Sequence, residues 1–207
     1  MAMEVVCLDL EGVLVPEVWI NVAAQTGLDQ LKLTTRDISD YDELMRHRLD
    51  VLARHGLGLA DIQAVIATMA PLPGAVDFLN WLRRHFQVVI LSDTFYDFAR
   101  PLMVQLDHPV LFCHNLTVDA AGRVVDYELR LPEQKRAAVE AFQRLNFTVF
   151  AAGDSYNDTA MLEQADLGVL FDPPDKVVAE FPRLPVTRNY RELADQFRAA
   201  SSRQLSD

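Results

Sequence analysis

Apolar residues gather in short runs along this chain, at positions 5–8, 88–91, 110–112, 148–152 and 168–171. Most are β-branched or aromatic, and the runs do not alternate with polar positions, so each predicts a strand covered on both faces. Between them the period becomes that of a helix. Val76, Leu79, Leu82 and Phe86 form one stripe after the Pro73-Gly74 break. Ala138, Val139, Phe142 and Leu145 form an inward stripe after Pro132, and Met161, Leu162 and Ala165 mark a third helix after Asn157-Asp158. Strands alternating with helices predict an α/β fold, a Rossmann-like parallel sheet with helices on both faces.

The stretch from Pro16 to about Pro71 breaks this rhythm. It holds no convincing strand, its clearest stripe is Tyr41, Leu44, Met45, Leu49 and Leu52, and a second helix runs from about Ala60 to Met69. The pattern predicts a small helical domain, residues 16–71, inserted after the first strand of a core built from residues 1–15 and 72–207. A lesser insertion reads as a hairpin: residues 112–118, a turn at Asp119-Ala120-Ala121-Gly122, and a return over 124–131. The polar tail after Ala200 is the one stretch whose composition suggests disorder.

With 207 residues, half of them hydrophobic, the chain can bury one substantial core or a core and a small extra domain. The formal charge of −11 and pI of about 4.8 argue against nucleic acid and anionic membranes as partners. No apolar run approaches the ~18 residues of a membrane span. The chain enters its first strand with no basic region and no cleavable apolar segment. Cys7 and Cys113, the only cysteines, sit in apolar strand-like surroundings and read as buried thiols. A soluble cytoplasmic protein is expected.

Candidate chemistry begins with Asp9-Leu10-Glu11-Gly12-Val13 at the exit of the first strand. Crowded carboxylates there resist desolvation and persist where a cation or a reaction needs them. Gly153-Asp154-Ser155-Tyr156-Asn157-Asp158 follows another apolar run and adds oxygen ligands. In an open α/β sheet, ligands bind beyond the C-terminal strand ends. If the two strands are neighbours, Asp9 and Asp154 can share a hard cation, for which Mg2+ is the natural choice. Asp9 then suits attack on phosphorus, giving an aspartyl-phosphate, with Glu11 as acid and base. Ser92, closing the strand at 88–91, and Lys135, in a first helical turn, suit phosphate oxygens.

These four elements, Asp9-x-Glu11-Gly12-Val13, Ser92, Lys135 and Gly153-Asp154-Ser155-x-Asn157-Asp158, resemble the motifs of the haloacid dehalogenase superfamily in order and spacing. The resemblance spans nearly the whole chain, and the helical insertion matches that superfamily's cap domain. Within it the chain resembles the phosphoserine phosphatases, most of all the branch that also transfers phosphate to homoserine. The resemblance implies Asp9 as nucleophile and metal ligand, Glu11 as acid/base with its backbone carbonyl on the metal, and Asp154 as second metal carboxylate. It further implies phosphate held by Ser92 and Lys135, Asn157 in contact with the phosphate or the substrate, Glu17 on the substrate ammonium and Arg48 on its carboxylate.

Two departures stand out. Glu11 occupies a position where the usual phosphatase has aspartate, and Asp93-Thr94 replace glycines after the serine, so that Asp93 adds negative charge near the phosphate pocket or points away. Plainer roles stay open for each residue. Asp9 and Glu11 suit a solvated strand end, Asn157 and Asp158 suit helix N-caps, and Ser92 suits a turn. Arg136 rivals Lys135, Arg46 rivals Arg48 in an i, i+4 surface pattern, and the five scattered histidines read as structural or surface residues. A phosphatase of another small phosphorylated metabolite, and a phospho-receiver or binding module without turnover, are the competing functions.

Overall fold

The computed structural model describes residues 3–34, 37–38 and 40–205. Its centre is β1 (Met3–Leu8), flanked by β2 (Gln87–Phe95) and β5 (Phe147–Gly153). β3 (Val110–Val118) and β4 (Val124–Glu128) extend one side, and β6 (Leu167–Phe171) and β7 (Val186–Thr187) the other. The order is β4-β3-β2-β1-β5-β6-β7, parallel throughout except that β4 runs antiparallel to β3. Leu8 pairs with Ile90 on one side and Ala152 on the other, so β1 and β5 end beside the middle of β2 at the reversal in strand order.

Among the described residues, three α-helices lie between β1 and the next core helix: α1 (Val18–Thr26), α2 (Tyr41–Arg54) and α3 (Leu59–Ala67). Then come α4 (Ala75–His85), α5 (Tyr96–Gln105), α6 (Gln134–Arg144), α7 (Thr159–Gln164), α8 (Asp175–Glu180) and α9 (Tyr190–Ala200). The pleat of β1 divides the core. Val5 and Cys7 face a cluster with Ala138 and Val139 of α6 and Met161 and Leu162 of α7. Val6 and Leu8 face the other, with Leu79 and Leu82 of α4 and Phe197 of α9, and this cluster continues into Met45, Leu52, Ile62 and Ile66. Both faces are therefore covered, as the unbroken apolar runs require. No helix among the described residues is long and apolar enough to cross a membrane.

Several expectations need correction. The strand read as ending at Leu91 continues to Phe95, with a register shift against β3 between those residues. The segment read as a core strand followed by a hairpin strand is one continuous β3, and the returning strand stops at Glu128. Val76 and Leu145 do not face inward. Val76 is exposed while Ala75, Phe78 and Trp81 are buried beside Leu79 and Leu82, and Leu145 caps α6 at 63% exposure. The polar tail is held as far as it is described: Ser201 Oγ, Ser202 N–H and the Arg203 guanidinium all bind the buried carboxylate of Glu4. Residues 206–207 lie outside the described residues.

Candidate active site

The backbone of residues 9–15 is fixed before any side chain is considered. Asp9 N–H donates to the Ala152 carbonyl (2.9 Å), carrying the β1–β5 ladder one residue past Leu8. The chain then turns tightly, with Gly12 N–H on the Val15 carbonyl (2.8 Å) and Leu14 N–H on that of Leu10 (2.8 Å). Gly12 has φ +78°, and a Cβ there would stand 2.4 Å from Asp154 Cγ. Gly153 is excluded from carrying a side chain in the same way, by Asp158 at 2.3 Å. These two glycines let the Asp9 and Asp154 loops approach each other.

Asp9, Asp154 and Asp158 bring carboxylate oxygens within 4.8 Å of one another. Asp158 is fully buried; its Oδ2 accepts from Asp154 N–H (3.0 Å) and Ser155 N–H (3.2 Å), and its Oδ1 from Lys135 Nζ (2.8 Å). Lys135, in the first turn of α6 and 4% exposed, also reaches Asp9 Oδ1 (3.0 Å) and Asp93 Oδ2 (3.2 Å). One ammonium thus stands among three carboxylates. Burial, then Asp158, push the Asp9 carboxyl well up, against the pull of Lys135. Burial, then Asp158 and Glu17, push Asp154 up to about 7, and its Oδ1 is buried without a hydrogen-bond partner. Buried carboxylate oxygen normally finds a donor. An orphan oxygen on Asp154 beside the Asp9 carboxylate suits a hard divalent cation, which would hold both ionised.

Ser92 is buried, at the register shift of β2 against β3. Its Oγ accepts from Thr94 N–H (3.3 Å), and its carbonyl accepts from Gln134 Nε2. Asp93 points at Lys135 and at His114 Nε2 (3.5 Å). Glu11 Oε2 accepts from Val18 N–H (2.8 Å) at the start of α1. Burial, then the neighbouring Glu17, raise its carboxyl to about 7.

A cleft of about 320 Å³ joins these groups to the helical segment. Asp9, Glu11, Ser92, Lys135, Asp154 and Asn157 line it together with Glu17, Trp19, Tyr41 and Arg48. The residues to which the family resemblance gives a role, and Asp93, therefore line one cleft. Arg48 is buried: its guanidinium stacks on Trp19 (4.6 Å), donates to the Leu33 carbonyl (2.9 Å), and leaves Nε without a partner. Its rival Arg46 is exposed and paired with Asp126 (2.7 Å); Arg136, the rival of Lys135, pairs with Glu140 (3.0 Å) on the surface. Asn157 is exposed and accepts from Ser155 Oγ (3.2 Å).

The sequence offered Asp158 both as a helix cap and as part of the acidic cluster, and gave no sign of Trp19, Gln134 or His114 at the site. Asp158 does bind the loop's own N–H groups, yet the same carboxylate holds Lys135.

Residues 3–166 match the family of haloacid dehalogenase-like hydrolases. The phosphoserine phosphatase ThrH of Pseudomonas aeruginosa is 59% identical over 204 residues, covering 99% of this chain and 100% of that protein. A phosphoserine phosphatase of Pseudomonas syringae pv. tomato is 58% identical over 204 residues, with 99% and 86% covered. Among solved structures, an apo phosphoserine phosphatase aligns at TM-score 0.76 and 21% identity, covering 93% of this chain and 98% of that one. A phospho-aspartyl intermediate analogue of phosphoserine phosphatase aligns at 0.76 and 19% identity, covering 95% and 99%. At such identities these structures speak to the fold alone. The chain belongs to the haloacid dehalogenase-like hydrolases.

Proposed function

We propose that this protein is a magnesium-dependent phosphoserine phosphatase that works through an aspartyl-phosphate on Asp9. The observation that carries the reading is one cleft with a carboxylate cluster and Lys135 at its floor and the unpaired, buried Arg48 Nε on its wall. A phosphorylated amino acid presents complementary ends: a dianion for the floor, a carboxylate for Arg48, and an ammonium for the acidic pair Glu17 and Glu11. The high identity to two phosphoserine phosphatases supports the same substrate.

Asp9 and Asp154 would hold the magnesium, with the Glu11 backbone carbonyl. Bound there, it would neutralise the phosphate dianion enough for a carboxylate to approach phosphorus. Asp9 Oδ attacks phosphorus, the bond to the serine oxygen breaks, and Glu11 gives that oxygen its proton. Glu11, now ionised, takes a proton from water as the water attacks phosphorus, and the Asp9 carboxylate leaves. Lys135 offsets charge on Asp9 throughout, and Ser92 with its neighbouring N–H groups binds the phosphoryl oxygens. Residues 16–71 act as a cap over a core of residues 1–15 and 72–207. The two crossings run side by side, with Leu72 N–H on the Leu14 carbonyl (2.9 Å).

The same handles suit a second amino acid as acceptor. Homoserine carries the ammonium and carboxylate that serine offers to Glu17 and Arg48, so its hydroxyl can replace water. Phosphate release from a panel of phosphorylated metabolites, with and without magnesium and L-homoserine, tests the whole reading. Phosphoserine is expected to lead the panel, and activity is expected to vanish on chelation and return with Mg2+. A preference for a phosphomonoester lacking an amino-acid end would overturn the substrate.

Arg48→Ala probes the carboxylate subsite. A charge-assisted hydrogen bond of about 1.5–3 kcal/mol corresponds to a KM for phosphoserine raised roughly tenfold to a hundredfold. Burial, opposed by Tyr41 and Glu11, lowers the guanidinium only to about 10, so it is charged at neutral pH. p-Nitrophenyl phosphate, which has no carboxylate, is expected to be hydrolysed as before. Equal loss on both substrates would make Arg48 structural.

A further inference from the structure

Lys135 is the cation at the floor of the cleft, and two of its three carboxylate partners have other employment: Asp9 as nucleophile, and Asp158 as anchor of the loop after β5. Asp93 has none. It is 30% exposed at its side chain and is held on every side. Its Oδ2 faces Lys135 Nζ (3.2 Å), and its Oδ1 accepts from Gln134 Nε2 (3.2 Å) and faces His114 Nε2 (3.5 Å). Those partners are fixed in turn. Arg130 N–H donates to His114 Nδ1 (3.1 Å), which leaves the ring proton on Nε2, toward Asp93. The Arg130 guanidinium donates to Gln134 Oε1 (3.0 Å), which turns the amide NH2 toward Asp93 and the Ser92 carbonyl. From the cap side, the Tyr41 hydroxyl donates to the Asp93 carbonyl (3.2 Å). Gln134 and His114 are both buried.

This much hydrogen bonding keeps a negative charge against the one lysine of an anion pocket. Burial opposes the charge, yet Lys135, His114 and Gln134 hold the Asp93 carboxyl well below the usual carboxylate range, so it is ionised at neutral pH. An ionised carboxylate there repels a dianion and takes a share of the Lys135 field that the dianion would otherwise receive.

We propose that Asp93, fixed by Gln134 and His114, is an affinity-limiting residue that weakens the cleft's hold on phosphate so that product leaves. The identity of the ligand as a phosphate dianion rests on the phosphatase reading above; the direction of the effect rests on the Asp93–Lys135 contact. Gln134 and His114 are positioning residues for Asp93, and Gln134 also holds the Ser92 carbonyl.

The test is binding of inorganic phosphate, in the presence of magnesium chloride, to the intact protein and to Asp93→Asn, Asp93→Ser and Asp93→Ala. Calorimetric Kd and the competitive inhibition constant against p-nitrophenyl phosphate are read together. Removing one charge so near the site is expected to tighten phosphate at least about tenfold. KM for phosphomonoesters should fall with it, and Tm should hold in the Asn variant. Phosphate affinity that is unchanged or weaker in the folded variants would overturn the proposal. Unfolding of all three would also overturn it, by assigning Asp93 to the fold. Because the probe is phosphate itself, failure of the phosphoserine reading is seen separately, as absence of phosphoserine turnover by the unaltered protein.

Discussion

Asp9→Asn is expected to abolish turnover, by more than the roughly 10²–10⁴-fold that removal of an acid/base costs, because no other group is placed to form the covalent intermediate. The fold is expected to survive. Asn keeps an oxygen for Lys135 Nζ, now 3.0 Å away, and one like charge is removed from a cluster that includes Asp154 and Asp158. Loss of a carboxylate beside two others relieves repulsion, so Tm should stay level or rise. Three measurements check this together: phosphate release, thermal unfolding, and intact mass after acid quench. The unaltered protein should carry an acid-stable phosphoryl adduct that Asp9→Asn lacks. Wild-type-like activity in Asp9→Asn would sink the mechanism outright.

The residues behind that prediction were readable in the sequence because their signals are local. Val5 to Leu8 is apolar without alternation, so a strand buried on both faces follows from composition alone, and Asp9 must then stand at its end. The same holds for Asp154 after the run ending at Ala152. What could not be read locally is which strand ends are neighbours. The β2-β1-β5 order is a tertiary fact, and it alone makes Asp9, Ser92 and Asp154 one site. The His114–Gln134–Asp93 network was hidden for the same reason. A histidine on one strand and a glutamine at the start of a helix carry no joint signal until the sheet brings both to Asp93. Leu145 and Val76 misled in the opposite way. Helical period placed them on an apolar stripe, but Leu145 sits where α6 has already ended, and the stripe of α4 is centred on Phe78 and Leu82. The strand seemed to stop at Leu91 because Ser92 and Asp93 are polar, and they face the cleft within a strand that continues.

Glu11 carries the second large expected effect. Glu11→Gln is expected to lower turnover of phosphoserine by about 10²–10⁴-fold, since the amide neither protonates the serine oxygen nor deprotonates water. The intact protein should show a two-sided pH dependence around the value of about 7 to which burial and Glu17 raise this carboxyl. Formation of the aspartyl-phosphate needs Glu11 protonated and so slows as pH rises through that value. Its hydrolysis needs Glu11 ionised and so slows as pH falls below it, and phosphoenzyme should accumulate on the acid side. The extra methylene of glutamate over aspartate also bears on what takes the phosphate. Glu11 Oε2 is drawn to Val18 N–H at the start of α1 (2.8 Å), and misplacement of a reacting group by about 1 Å can cost 10²-fold. A water held only by Glu11 suffers from such an offset more than an amino-acid hydroxyl held also through Glu17 and Arg48. Phosphorus NMR of a mixture with phosphoserine and saturating L-homoserine is therefore expected to show phosphohomoserine beside inorganic phosphate. Glu11→Asp should move the partition toward inorganic phosphate. Inorganic phosphate alone with the intact protein would refute transfer. An unchanged partition in Glu11→Asp would locate acceptor choice in the cap residues, and the reach of Glu11 would have no part in it.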